Sequence, residues 1–230
     1  MSNSLRHIPF VGNHNGKSCG QCVYRMALSH LYPEQQWTEE YMDDFCGAIL
    51  GKYTWPFKPI INLTNMGLDL VIYSTFDNER FVSNPVEYMT EKYGETGCKN
   101  NIANSDMDQV LSQAKQLIAY SKEHKFQRYP MSHSAQIDKD LLENGYLLAV
   151  WVNSSKLNKE DGYSGHFILV HGYENGMFIA HDPGENDKDG TPTNQFQNRE
   201  IPEQDFIDAC SPKKFGEINI LIAIKRPETN

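Results

Sequence analysis

The sequence predicts an α+β fold, with helices in the first part of the chain and antiparallel strands in the last part. Apolar residues recur at helical spacing up to about residue 145, most clearly from Asp106 to Lys125. Later, short runs rich in Val, Ile, Leu, Phe and Tyr follow one another, which is typical of strands. Because helices and strands are segregated rather than alternating, a parallel βαβ sheet is not expected. We expect one domain over 1–230, with a helical lobe at about 12–145, a β lobe at about 146–226 and a cleft between them.

Each predicted helix has a start or stop signal. The first begins at Cys19 or Gly20 and ends near Leu31, because Pro33 cannot continue it. The second follows Thr38, a good N-cap, and has acidic residues in its first turn. Three more are expected: one opened by Asn84-Pro85 and closed by Gly94, one from Asp106 to Lys125 capped by Ser105, and one from Gln136 to Asn144 ending at Gly145.

Five segments are expected to be strands because β-branched and aromatic residues dominate them. They are Leu68 to Ser74, Tyr146 to Val152, His166 to Tyr173, Met177 to His181 and Glu217 to Lys225. The stretch from Gly184 to Asn198 is polar and contains Gly, Pro, Asp and Thr, so it predicts an exposed loop.

Composition and charge narrow the class of protein and its partners. The chain has 230 residues, of which 39% are hydrophobic and 22% charged, as in an ordinary globular domain. A formal net charge of −9 repels phosphate backbones, so nucleic acid is not an expected partner. No apolar run is long enough for a membrane-spanning helix, so no membrane insertion is expected. Met1 to Phe10 lacks the pattern of a secretory signal, which favours a cytoplasmic location, with export by another route left open.

One of the five cysteines has the surroundings of a nucleophile. The number is odd and the spacing irregular, which argues against a disulfide scaffold. Cys19 lies between the polar loop 13–18 and the start of the first helix, where the helix dipole and free backbone N–H groups stabilise a thiolate. Gly20 leaves room for a substrate to approach. Cys46, Cys98 and Cys210 have no such context, and we interpret them as structural.

His166 and Asp182 are the expected partners of that thiol. They begin one strand and follow the next, on either side of Glu174-Asn175-Gly176. A two-residue turn at Asn175-Gly176 alone would put the two side chains on opposite faces of the hairpin. A three-residue loop with Gly176 in the left-handed region would put them on one face, diagonally close. Since carboxylate–imidazole pairing requires one face, we predict the three-residue loop.

Four segments together resemble the papain-like peptidases related to the double-glycine leader peptidases, which process bacteriocin precursors. The segments are Ile8-Pro9-Phe10, Cys19-Gly20-Gln21-Cys22 at a helix start, Gly165-His166-Phe167-Ile168-Leu169-Val170-His171-Gly172-Tyr173, and His181-Asp182-Pro183. Leu141-Leu142-Glu143-Asn144-Gly145 before an apolar strand also resembles the family. The likeness extends from about Ile8 to Pro183 and is loose from about Thr54 to His133. The His and Asp segments are specific together, whereas the short cysteine motif is weak.

The resemblance implies a papain-like fold in a standalone bacterial peptidase, with the helical part carrying the nucleophile packed on an antiparallel sheet carrying His and Asp. It matches Cys19 to the nucleophile, His166 to the base and Asp182 to the orienting acid. The family usually has Gln six residues before the cysteine, where its amide and the nucleophile's backbone N–H form the oxyanion hole. Here that residue is Asn13, which donates the same kind of hydrogen bond but is one methylene shorter. The implied function is cleavage of an amide bond in a peptide or protein substrate through a thioester, without metal or cofactor.

Several alternatives remain open at the level of sequence. Cys22 competes for the nucleophile role, and the Cys19–Cys22 spacing also suits thiol–disulfide exchange, although no strand precedes the motif. Cys19, Cys22, His166 and His171 are ligand types for zinc but lack paired spacing; His171 and His181 are better explained as core or edge histidines. An acyltransferase or transglutaminase-like enzyme would use the same triad, and a peptide-binding module with a weakened site is a further candidate. Oligomeric state is not predicted.

Overall fold

A computed structural model describes residues 7–124, 126–186, 191–211 and 218–227. The helices of this described part vary from one turn to five. They are α1 (Cys19–Leu31), α2 (Glu39–Cys46), α3 (Phe57–Asn65), α4 (Asn78–Ser83), α5 (Pro85–Asn104), α6 (Met107–Glu123), α7 (Ala135–Glu143), α8 (Ser154–Leu157) and α9 (Glu203–Cys210). Among the described helices, none is long and apolar enough to cross a membrane.

The strands form one large sheet and one small one. They are β1 (Asp69–Ser74), β2 (Gln127–Tyr129), β3 (Leu147–Asn153), β4 (Gly165–Glu174), β5 (Met177–Asp182), β6 (Glu185–Asn186), β7 (Pro192–Thr193), β8 (Phe196–Pro202) and β9 (Ile220–Lys225). The seven-stranded sheet has the order β2-β1-β9-β3-β4-β5-β8, and β6 pairs with β7 separately. Among the strand pairs of this sheet in the described residues, β1–β2 is parallel and the others are antiparallel. The fold is therefore α+β around a mostly antiparallel sheet, as the sequence predicts.

Hydrophobic cores cover both faces of this sheet. Alternate residues of β3 point to opposite sides: Leu147 and Ala149 pack in one core with α1, while Leu148 and Val150 pack in the other with α9. A strand buried on both faces has a continuous run of apolar residues rather than an alternating pattern, which explains the sequence of β3. The first core packs α1 against β4, and this contact brings the segment that begins with Cys19 close to the segment that contains His166.

The helix boundaries follow the sequence signals with one correction, and four further described helices were not predicted. The first helix spans Cys19–Leu31 as expected, and Thr38 Oγ1 accepts from Tyr41 N at 3.2 Å to cap the second. The N-cap of α6 is Asp106, whose Oδ1 accepts from Gln109 N at 3.0 Å; the prediction of Ser105 was wrong by one residue. Gly94 (φ 71°, ψ 172°) has non-helical backbone angles and separates two helical segments within α5, so the first segment ends there as expected; glycine adopts a positive φ without a side-chain clash. Helices α3, α4, α8 and α9 were not predicted.

The strand predictions differ from the structure mainly at the edges of the sheet. The five predicted strands match the five central strands of the sheet, β1, β3, β4, β5 and β9, within a few residues, although Glu217 lies outside the described residues. The expected loop from Gly184 to Asn198 contains β6, β7 and the start of β8, with 187–190 outside the described part. Both β1 and β2 come from the stretch assigned to the helical lobe, yet they belong to the same sheet as the later strands.

The β4–β5 hairpin reaches the required geometry by an unexpected route. The prediction of a three-residue loop was wrong: Glu174 pairs with Met177 across a two-residue turn, in which Asn175 (φ 52°) and Gly176 (φ 80°) are both left-handed. The register then shifts between Val170 and Gly172. This β-bulge at His171 absorbs one residue and reverses the side-chain alternation, so His166 and Asp182 lie on one face.

Candidate active site

Cys19 is the first residue of α1, at the end of the helix where backbone N–H groups are free. Its side chain is partly exposed, and no acidic residue occupies the first turn, so nothing there opposes the positive end of the helix dipole. Gly20 faces Phe167 on β4: a Cβ added there would lie 4.0 Å from the ring, so the helix start fits closely against the strand that carries His166.

His166 and Asp182 form a buried hydrogen-bonded pair. His166 Nε2 donates to Asp182 Oδ1 at 2.8 Å, and the side chains are 3% and 2% exposed. With Nε2 used in this way, Nδ1 is the ring nitrogen left for the thiol of Cys19, whose pKa is lowered by interaction with the imidazole. The three residues named by the sequence motifs are thus brought together in the order thiol, imidazole, carboxylate.

The carboxylate of Asp182 is held on both oxygens. Besides His166, Oδ1 accepts from Gly184 N at 3.0 Å, while Oδ2 accepts from Arg199 Nη1 at 2.8 Å. Arg199 is anchored in turn, since its Nη2 donates to Leu157 O at 2.6 Å. A buried carboxylate with this many donors stays ionised, and its orientation relative to the imidazole is fixed.

The electrostatics of the three groups favour a thiolate beside an imidazolium. Burial opposes ionisation of Cys19, but hydrogen bonding and charge from His166, with the backbones of Phe167 and Gly20, lower the pKa of the thiol below its ordinary value. Burial likewise opposes protonation of His166, yet the hydrogen bonds with Asp182 and Cys19 raise its pKa to about 10. Burial would raise the pKa of Asp182, but His166, Gly184 and Arg199 together lower it. The two shifts together favour the thiolate–imidazolium pair over the neutral thiol and imidazole.

Cys22 has the opposite environment. It lies one turn into α1, buried, with its Sγ 3.6 Å from Gly12 O. Burial and the neighbouring Cys19 raise its pKa to about 12, so it remains a thiol at neutral pH. The electrostatics thus favour Cys19 over Cys22 as nucleophile, and they disfavour the pair as a dithiol redox site.

Asn13 is buried and tied to the loop after Asp182. Its Nδ2 donates to Gly184 O at 3.1 Å, its Oδ1 accepts from Ser18 N at 3.3 Å, and its backbone N–H donates to Pro183 O at 2.8 Å. These bonds connect the segment before Cys19 to the segment after Asp182, so Asn13 positions both. The second hydrogen of Nδ2 has no bond within the described residues, and the oxyanion role of Asn13 stays a prediction.

A cavity of about 560 Å³ opens beside the thiol. Cys19, Gly165 and His166 lie at one end of its lining, together with Lys17, Ser164 and Glu185. The rest of the lining is mainly aromatic and aliphatic. A concave apolar site with a few polar groups at a reactive residue is the usual form of a substrate site.

The other histidines and cysteines lie apart from this chemistry. His181 donates from Nε2 to Ile8 O at 2.9 Å and accepts from Asn198 N at its Nδ1, so it is a neutral core histidine; burial lowers its pKa. His171 is buried at the bulge, its ring 4.6 Å from that of His181. Burial raises the pKa of Cys46 and Cys210 well above the ordinary value. No group of three or more His, Cys, Asp or Glu that could hold a metal occurs in the part of the chain described.

Sequence reasoning missed Arg199, which contacts Asp182 directly. It lies on β8, one residue after the stretch from Gly184 to Asn198 that was expected to be a loop. A second register shift, between Ala180 and Asp182 on β5, places β8 so that Arg199 reaches the carboxylate. The sequence signal available was the spacing of Arg199 and Ile201, which is compatible with a strand. This spacing does not indicate that Arg199 contacts Asp182.

Comparisons with known proteins add a distant likeness to a solved structure. No family model matches the chain, and no curated protein matches it. Among solved structures, a double-glycine motif protease from an AMS/PCAT transporter, in complex with the leader peptide, superposes with a TM-score of 0.45. The sequence identity is 12%, over 98% of this chain and 97% of that chain. Similarity of this size does not establish a shared activity, so the case for function depends on the site itself.

Proposed function

We propose that the chain is a papain-like cysteine hydrolase that cleaves an amide bond in a peptide substrate. The observation that supports this most is the arrangement of three side chains. The Cys19 thiol, at the start of α1, lies beside His166, whose Nε2 donates to Asp182 Oδ1 at 2.8 Å. Activated thiols of this kind need a base in contact and a third group that orients the base. A lowered thiol pKa supports an active site rather than a weakened binding module.

In the first half of the reaction, the Cys19 thiolate attacks the carbonyl carbon and an S–C bond forms. Because the proton already resides on His166, the imidazolium acts as the general acid and transfers it to the departing amine as the C–N bond breaks. The backbone N–H of Cys19 and the free hydrogen of Asn13 are the proposed donors to the oxyanion. The product is a thioester on Cys19 and a released amine.

In the second half, water resolves the thioester. His166, now neutral, takes a proton from water as the oxygen attacks the acyl carbon. The C–S bond then breaks, releasing a carboxylic acid and restoring the thiolate–imidazolium pair. Asp182 keeps the imidazole in one orientation throughout, since Arg199 and Gly184 hold the carboxylate.

The test uses p-nitrophenyl acetate, an activated ester whose acyl group is small enough for the site. We expect a burst of p-nitrophenolate equal to the enzyme concentration, with one acetyl group found on Cys19 by peptide mass mapping. Cys22→Ala is the matched control and keeps the burst, whereas Cys19→Ala abolishes it. Acetylation elsewhere, or a burst that depends on Cys22, would contradict the proposal. Addition of glycinamide during deacylation separates a hydrolase from an acyltransferase, since the latter would form N-acetylglycinamide.

A further inference from the structure

The floor of the cavity beside Cys19 is a row of side chains crossing the sheet. Phe167 on β4 is directly paired with Trp151 on β3, and Ser74 on β1 is paired with Ile220 on β9. Val150 of β3 lies opposite Leu221 of the antiparallel β9, so the next pair along the two strands is Trp151 and Ile220. The four side chains therefore lie in one line across the sheet. All four line the cavity, which therefore runs across the strands, away from the thiol.

The length of the cavity follows from the strand order. Arg128, on the edge strand β2, lies opposite Ile72 of β1 and also lines the cavity. From β4 to β2 there are four strand spacings in the order β4-β3-β9-β1-β2, or about 19 Å at roughly 4.8 Å each. The cavity is thus long and narrow, with the reactive thiol at one end and Arg128 at the other.

Helices α3, α5 and α6 close the cavity above this floor. Phe57 of α3, Tyr93 of α5 and Leu117 of α6 all face it, together with Trp55 and Phe76 from the connecting loops. Asn100 and Asn101 of α5 add amide groups along the wall. An apolar wall with a few side-chain amides suits a chain of apolar residues whose backbone needs hydrogen bonds.

The cation at the far end has no carboxylate partner among the described residues. Arg128 Nη2 donates to Phe76 O at 2.8 Å, which leaves most of its five N–H donors for a ligand. Asp77 and Glu79 are close enough to favour the charge, but they form no ion pair with it. Burial lowers the pKa of Arg128, and a desolvated guanidinium gains most from a carboxylate placed against its fork.

We propose that the cavity binds the C-terminal segment of the substrate, four or five extended and mainly apolar residues whose terminal carboxylate pairs with Arg128. An extended residue spans about 3.3–3.6 Å, so this number fits the distance once the reach of the arginine side chain is included. The proposal rests on the proposed function, since it places the scissile bond at Cys19. The enzyme would then release a short apolar peptide from the C-terminus of its substrate.

Binding is tested apart from chemistry in the Cys19→Ala variant. The probe is a pool of acetylated pentapeptides built from Gly, Ala, Val, Leu, Phe and Tyr, made once as free acids and once as C-terminal amides. After affinity selection, mass spectrometry compares the retention of each acid with its amide, and dodecanoate is included as an apolar acid without a peptide backbone. Trp55 and Trp151 line the cavity, so quenching of their fluorescence gives the dissociation constants of selected peptides.

We expect the acids rich in Phe, Tyr and Leu to bind at least tenfold more tightly than their amides, as for a charge-assisted bond. Arg128→Gln removes this preference and Arg128→Lys retains part of it. Arg226→Gln is the matched control: Arg226 also bonds a carbonyl, Leu31 O at 3.2 Å, but lies outside the cavity lining, so its replacement leaves the preference unchanged.

Three outcomes would overturn the proposal: equal retention of acids and amides, an acid preference that survives Arg128→Gln, or tighter binding of dodecanoate than of every peptide. None of them bears on the acetylation of Cys19 by p-nitrophenyl acetate. Failure of the cavity proposal and failure of the proposed function are therefore distinguishable.

Discussion

His166 Nε2 lies 2.8 Å from Asp182 Oδ1 across a hairpin whose two-residue turn would, by itself, put the two side chains on opposite faces. The bulge at His171 reverses the alternation and makes the contact possible. A strand irregularity beside a reactive group is a common way to aim a side chain. The orientation of the imidazole therefore depends on a feature of β4 that lies five residues from His166.

Asp182→Asn is expected to destabilise the thiolate form of Cys19. The amide keeps the shape of the carboxylate but not its charge, so the pKa of His166 falls from its raised value and that of Cys19 rises. The rate at which iodoacetamide alkylates Cys19 at pH 6 should drop at least tenfold, and the pH profile of this rate should move to higher pH. Asp108→Asn, an exposed change in the first turn of α6, is the control and should leave both unchanged.

Arg199→Met is expected to destabilise the fold as well as the site. It leaves the buried Oδ2 of Asp182 without the guanidinium, while Oδ1 keeps His166, and breaking one partner of a buried ion pair costs about 3 kcal/mol in the free energy of unfolding. Urea denaturation at pH 7 measures the loss. Stability unchanged within 0.5 kcal/mol, roughly the range of neutral surface changes, would show that the ion pair contributes nothing.

The same variant should show a distinct dependence on pH. Because the pKa of Asp182 is lowered in the folded state, its ion pairs contribute stability above the unfolded pKa of about 3.9, and this contribution disappears as pH falls through the folded value. The difference between wild type and Arg199→Met should therefore be full at pH 6 and shrink below pH about 4. A difference that is constant from pH 6 to pH 3 would contradict the assignment.

Gly165→Ala tests how closely the wall of the cavity is packed. A Cβ at this position would overlap Cζ2 of Trp151, whose Nε1 donates to Tyr163 OH at 3.0 Å. The ring must move, which should cost about 1–3 kcal/mol of stability and slow acylation by displacing the neighbouring His166. The double variant Gly165→Ala with Trp151→Leu should recover stability, and failure to recover any would place the strain elsewhere.

Asn13→Asp separates two roles of one side chain. Aspartate still accepts from Ser18 N but donates nothing, so both the bond to Gly184 O and any oxyanion bond are lost. If Asn13 stabilises the oxyanion, the acetylation burst should slow by about 10²-fold or more, while alkylation of Cys19, which forms no oxyanion, should change little. An equal fall in both rates would indicate that Asn13 only positions the loop.

Much of this site could be predicted from local sequence, and the rest depends on long-range register. Cys19 at a helix start is a local feature, set by the polar loop before it and by Pro33 after it. The His166–Asp182 pairing was expected, but the loop type was wrong because the bulge at His171 was not predicted, although Gly172 follows it directly in the sequence. Arg199 and Arg128 lie on edge strands whose neighbours are distant in sequence, so no local pattern indicates what they face.

The most direct test of the account is alkylation of Cys19 by iodoacetamide at pH 6, followed by intact mass and peptide mapping. An unperturbed cysteine of pKa about 8.5 is about 0.3% thiolate at this pH, so N-acetylcysteine provides the reference rate. The thiolate–imidazolium pair predicts single labelling at Cys19, at least tenfold faster than the reference, lost in Cys19→Ala, unchanged in Cys22→Ala and slowed at least tenfold in His166→Ala. Labelling no faster than N-acetylcysteine, or unaffected by His166→Ala, would contradict an activated nucleophile and with it the proposed hydrolase.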